Sequence, residues 1–154
     1  GGRGRVENED AASALLRFAG GARGSMVVSR SAWGRKSRLG YEVHGTEGMI
    51  IFDQERMNEL QIYRNRGPVS EQGFTTVLTG PAHPPFGRFC PAPGHQLGFN
   101  DLKVIECADF LRRIAGQAAP GPDFTEALEI ERVIHAMAAS AAGDGRRITV
   151  AAFR

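Results

Sequence analysis

From Asp10 the chain alternates apolar and polar positions with a period of two, as strands with one sheltered face do. In ASALLRFA, residues Ala14, Leu16 and Phe18 share one face, and Ser13, Leu15 and Arg17 share the other. Gly20-Gly21 supplies the positive φ of a tight hairpin. RGSMVVSRSA then returns with Met26 and Val28 on one side and Val27 and Ser29 on the other. The runs LGYEVHG, GMIIFD, NELQIYR and GFTTVLTG follow, short and rich in β-branched and aromatic residues. Turn chemistry separates them at Gly45-Thr46-Glu47-Gly48 and again from Asp53 to Met57. Strands joined by short connections, with no helices between, predict an antiparallel meander and not βαβ units.

Beyond the loop FCPAPGHQLGFND the period becomes helical. DLKVIECADFLRRIAG sets Val104, Ala108, Leu111 and Ala115 on one stripe, with Asp101 as N-cap. After the break AAPGP, the run DFTEALEIERVIHAMAASAAG opens with Asp123 and Glu126 at capping-box spacing and stops at Gly143. Ile130, Ile134, Met137 and Ala141 line its apolar stripe, and RITVAA reads as a closing strand. The predicted class is α+β: an antiparallel sheet first, two helices second, a last strand. At 154 residues this is one domain, long enough to bury a core. Residues 1–9 read as a flexible lead-in, and a chain that does not begin with Met suggests a piece of something larger.

A composition of 42% hydrophobic and 23% charged residues is that of a globular chain, not a disordered one. A net charge of +2 gives no reason to expect a nucleic acid or a membrane as partner. Arg112-Arg113 and Arg146-Arg147 are read as solvated surface. Cys90 and Cys107 fit no metal or redox spacing, which points to a reduced, cytoplasmic protein. No apolar run approaches spanning length, and no signal-peptide pattern opens the chain.

Four histidines, His44, His83, His95 and His135, lie at spacings that match no metal signature. The first two and the last have simple structural readings. His95 stands in APGHQLGFND, where Gly94 and Gly98 permit close backbone approach and Asn100 offers both donors and an acceptor. Imidazole and amide groups suit hydroxyl-rich ligands, since a hydroxyl both donates and accepts. The alternative is that His95 and Asn100 merely cap the helix and pin the loop. Trp33, the only tryptophan, stands beside Gly34, Arg35 and Lys36, a set that can stack on a sugar ring or grip an anion. It can equally be a wide hairpin whose Trp shields a core edge. No nucleophile elbow occurs, and Gly2-x-Gly4 and Gly143-x-Gly145 both lack the third glycine of a dinucleotide fingerprint.

Read in order, the acidic ENED, the hairpin ALLRFAGGARGSM, the SR that opens the Trp-Gly loop and HGTEGMIIFD resemble the C-terminal domain of Gfo/Idh/MocA-type oxidoreductases. GFNDLKVIECADFLRRIAG and the final helix with ITV continue that likeness from Val6 to Val150. The resemblance implies a large open, mainly antiparallel sheet with helices packed on one face, the dihydrodipicolinate-reductase-like fold. It also implies a parent whose N-terminal Rossmann domain is absent from this chain and binds NAD or NADP, with no cofactor expected on this chain itself. The parent would oxidise or reduce a hydroxyl on a sugar, an inositol or a related polyol, and would form a homo-oligomer through the open sheet face. The family's Glu-Lys-Pro motif has no match here. Nor has its Asp-x-x-x-His pair, because Gly40, Thr79, Pro91 and Glu131 stand four residues before the histidines. Catalytic residues are therefore not expected in this chain. What carries over is the substrate side: Trp33, with Arg35 and Lys36, in the loop after the second strand, and His95, Phe99 and Asn100 ahead of the first helix. The rival reading is a non-catalytic module that dimerises or binds a carbohydrate.

Overall fold

The computed structural model of the chain describes Gly4, residues 8–119 and residues 121–152. The expected lead-in therefore lies mostly outside the described residues. Six strands and two helices follow in the predicted order: β1 (Ala11–Arg17), β2 (Arg23–Ser29), β3 (Gly40–His44), β4 (Gly48–Asp53), β5 (Glu59–Arg64), β6 (Phe74–Leu78), α1 (Phe99–Ile114) and α2 (Phe124–Ala142). Among the described residues all pairings are antiparallel, β1 with β2 in one sheet and β3-β4-β5-β6 as a meander in another. The α+β class read from the sequence is the one observed. Two compact units result: β1, β2 and α2 belong to one, and the residues from Arg35 through α1 to the other.

In the first unit, Ala14 faces Met26 and Leu16 faces Gly24, so the half-buried side of the hairpin is the one the alternation predicted. Gly21 takes a φ of 91° at its turn, where its N–H donates to the Phe18 carbonyl. Asp123 caps α2 by accepting from the amides of Thr125 and Glu126, while Glu126 accepts from the Asp123 amide. The predicted capping box is thus present, and Gly143 is the C-cap. The expected stripe is not the sheltered one. Ala136 is buried and Val133, Met137 and Ala139 are half-buried, whereas Ile130, Ile134 and Ala141 are exposed. α2 is apolar over so much of its circumference that periodicity cannot choose a face. RITVAA does not form the expected strand. It is coil ending in a 3-10 turn at Val150–Ala152, and just ahead of it the Arg146 carbonyl accepts from the Ser140 hydroxyl of α2. A strand needs a ladder, and this segment pairs with none among the described residues.

The second unit takes its shape from cross-strand pairs. Tyr41 opposes Phe52 on the meander, with ring centroids 5.3 Å apart, and Val43, Ile50 and Ile62 continue that face. Among the described residues its buried positions are Cys90, Leu97 and the polar Asn58. α1 starts three residues earlier than expected. Gly98 is the N-cap, and Asp101 sits one turn inside, accepting from the Gly98 amide at 2.8 Å. Here too the sheltered stripe differs, running through Leu102, Ile105, Ala108 and Arg112, while Val104, Leu111 and Ala115 are exposed. Cys90 is buried and Cys107 exposed, both as free thiols. No described helix is long and apolar enough to cross a membrane.

Candidate functional site

The six residues Asp53–Asn58, from the last of β4 to the one before β5, organise both loops singled out in the sequence. Asp53 begins the turn by accepting from the Glu55 amide at 3.0 Å, which fixes a short 3-10 turn over Gln54–Arg56. Each following side chain then reaches outward. Glu55 accepts from the Arg35 guanidinium at 3.0 Å and, with its other oxygen, from the Lys36 backbone amide at 2.5 Å. Gln54 donates from its amide side chain to the Ser37 carbonyl, and from its backbone to the Leu39 carbonyl. Arg38 donates to Asp53 at 3.3 Å. The segment from Arg35 to Leu39 is thereby bonded at five successive residues, which sustains Ser37 at a φ of 55°, unusual for a residue with a Cβ.

Asn58 closes the turn and does the same for the second loop. Its side-chain amide donates to the Leu97 carbonyl and accepts from the Leu97 amide, both at 2.9 Å. The same oxygen accepts from the Thr79 hydroxyl at 2.8 Å, while the Asn58 carbonyl accepts from the Thr79 amide. A primary amide matched to a backbone N–H and C=O in this way satisfies both polar groups of a buried residue. The loop thus enters the interior at Cys90 and again at Leu97, and the residues between are exposed or half-buried.

That arrangement leaves His95 on the surface, with Nδ1 3.1 Å from the Ala92 carbonyl. A carbonyl only accepts, so the contact assigns the proton of the neutral ring to Nδ1 and leaves Nε2 as its acceptor. Phe99 is the first residue of α1, half-exposed, with the Lys103 ammonium 5.6 Å from its ring centroid. Asn100 is exposed on the first turn of α1. Arg35 and Lys36 are exposed as well, but the Arg35 charge is already matched by Glu55. Trp33 is 98% exposed and belongs to the other unit, so it shields no core edge. Among the described residues no group of three or more histidines, cysteines or acids could hold a metal ion.

Comparison with known proteins decides the family. Residues 2–51 match the GFO/IDH/MocA C-terminal domain. A levoglucosan dehydrogenase of Pseudarthrobacter phenanthrenivorans is 38% identical over 142 residues, covering 92% of this chain. This chain belongs to the GFO/IDH/MocA family, as a C-terminal domain. Among solved structures, levoglucosan dehydrogenase in complex with NADH and levoglucosan superposes with a TM-score of 0.84 at 38% identity, over 92% of this chain and 38% of that one. An NAD binding oxidoreductase from Klebsiella pneumoniae gives 0.82 at 38% identity, over 90% of this chain and 38% of that one. An oxidoreductase domain protein from Kribbella flavida gives 0.84 at 34%, over 92% and 37%. This GFO/IDH/MocA domain spans 36% of the length of its curated relative.

Sequence reasoning found the two loops of the domain but not the residues that hold them. Glu55 and Asn58 act across 19 to 20 and 39 positions respectively, beyond the reach of any local pattern. One signal was available: asparagine is disfavoured where a strand begins, and its presence just before ELQIYR calls for a side-chain partner. The Asp53 carboxyl also bears on the first loop. Donation from the Glu55 amide, aided by Arg38, holds it below the ordinary aspartate value. With the folded value depressed, its stabilising contribution is present above the usual aspartate range and is lost as pH falls through the folded value. The Glu55 amide resonance, followed by NMR on acidification, should shift with a midpoint below 3.8; a midpoint at or above it would show that the carboxylate is not held.

Proposed function

We propose that this chain is the substrate-binding and oligomerisation domain of an NAD(P)-dependent oxidoreductase that acts on a hydroxyl of a sugar, inositol or related polyol. The observation that carries the reading is the 38% identity, along 92% of the chain, to a dehydrogenase solved with NADH and levoglucosan. The same relative has also been solved with NADH and L-sorbose, which favours NAD and a neutral sugar. Local chemistry supports it. The Nε2 of His95 can accept a hydrogen bond from a hydroxyl, Asn100 both donates and accepts, and Phe99 offers an apolar ring face. With Arg35 paired to Glu55, its guanidinium is less available to grip an acid or a phosphate.

The residues of this chain do not form a dinucleotide cradle, since no glycine-rich strand-to-helix turn is present in the sequence. Its part in the reaction is confined to orientation: His95 and Asn100 would fix which carbinol carbon faces a nicotinamide bound elsewhere. Tyr41 and Val43, about half exposed on the meander, supply an apolar sheet face for self-association.

The complete gene product that carries this chain should reduce NAD+ in the presence of levoglucosan or L-sorbose and sediment as a dimer or larger. His95→Ala should lower kcat/KM about tenfold, the value of one hydrogen bond to a substrate hydroxyl. An unchanged kcat/KM would make His95 a structural residue. Absence of turnover with any neutral sugar would instead favour a non-catalytic carbohydrate-binding or dimerisation module, and a monomer would remove the oligomerisation role.

A further inference from the structure

We infer that the β4–β5 connection, Asp53–Asn58, is the positioning element of the substrate site, with Glu55 and Asn58 as its two positioning residues. The inference rests on the substrate reading above, and it assigns a role to residues outside the proposed ligand contacts. Two loops, separated by more than fifty residues of sequence, were singled out for their chemistry. Both are tied to side chains only three positions apart. Glu55 holds the first by the Lys36 amide and the Arg35 guanidinium, and Asn58 holds the second by both backbone groups of Leu97.

The bonds are of the kind that fixes placement. Leu97 is 5% exposed and Asn58 9%, so their contacts are screened little by water and cannot be exchanged for it without loss. Leu97 lies two residues after His95 and two before Phe99, and a shift at this anchor moves His95, Phe99 and Asn100 together. The Glu55 bond to Lys36 acts on the backbone, so the loop stays placed whichever side chain position 36 carries. Neither Glu55 nor Asn58 need touch a ligand. Each acts through the backbone it holds, and a misplacement of about 1 Å at a binding group is enough to cost substantial efficiency.

The expected kinetic signature separates positioning from general stability. In the complete gene product, Glu55→Ala should raise KM for levoglucosan about three- to tenfold with kcat changed less than threefold. That split is expected because interactions that hold substrate and transition state alike appear in KM. Glu55→Gln keeps an oxygen for the Lys36 amide and should recover most of the loss. Asn58→Ala should raise KM about tenfold or more. KM within twofold of wild type in folded Glu55→Ala and Asn58→Ala enzymes would overturn the inference. So would a Glu55→Gln enzyme no better than Glu55→Ala. Where Asn58→Ala does not fold, the Glu55 pair decides. If the wild type turns over no neutral sugar, the substrate reading falls, and amide hydrogen exchange in this chain decides the positioning. Faster exchange at Lys36 in Glu55→Ala, with the strand amides of β4 unchanged, upholds it; unaltered exchange there overturns it.

Discussion

Gly48→Ala is expected to destabilise the chain by about 3 kcal/mol or more, through backbone collision and not through lost contacts. A Cβ at this position would stand 2.2 Å from the Tyr63 carbonyl oxygen and 3.3 Å from its carbonyl carbon. Gly48 also has a φ of 158°, where L residues are disfavoured. No side chain can swing aside to relieve this, because the obstacle is the β5 backbone. β4 must separate from β5 where Gly48 faces Arg64 and Met49 faces Tyr63, the start of the central ladder of the meander. Gly45, in the same turn, is the control. A Cβ there would meet only the Gly48 carbonyl, at an ordinary 3.6 Å, so Gly45→Ala should cost less than about 1 kcal/mol. Urea unfolding of both variants checks the contrast; equal midpoints would show that β5 yields easily at Tyr63.

Asn58→Ala is the second large effect, about 2–3 kcal/mol by the same measurement. Truncation leaves the Leu97 amide and carbonyl, enclosed with Cys90, without the partner that replaced water. The Thr79 hydroxyl loses its acceptor as well. Asn58→Asp is the sharper substitution. It preserves size and both accepting contacts but sets a carboxylate against the Leu97 carbonyl, so it too should destabilise the chain at neutral pH. An Asn58→Asp variant as stable as wild type would mean that the donated bond to Leu97 is dispensable.

Local physics carried the sequence reading a long way and stopped at definite places. The period-two alternation of ALLRFA located β1, where alternate residues are half-buried, whereas β4 and β5 were marked by their β-branched and aromatic residues and are half-buried on both faces. Asp123 and Glu126 announced the start of α2, since a capping box depends on four consecutive residues alone. The sheltered faces of α1 and α2 were misplaced for a physical reason: Phe110, Leu111 and Ile114, and likewise Leu128, Ile130 and Ile134, are apolar yet exposed. Composition cannot distinguish a face that packs within the chain from one left at its surface. His95 and Asn100 were singled out by their side-chain chemistry, whereas Glu55 and Asn58 were not. Their partners are backbone groups, which every residue has and no sequence pattern marks.

The clamp on Leu97 has a practical consequence for altering ligand preference. Asn58 grips main-chain atoms only, so the identities of His95, Gln96, Phe99 and Asn100 are not written into the anchor. A library randomised at these four positions should retain folded members at high frequency, while the frame that presents them stays in register. Selection on a new sugar could then act on recognition alone, with Asn58, Thr79 and Leu97 left untouched as the fixed hinge-pin of the scaffold.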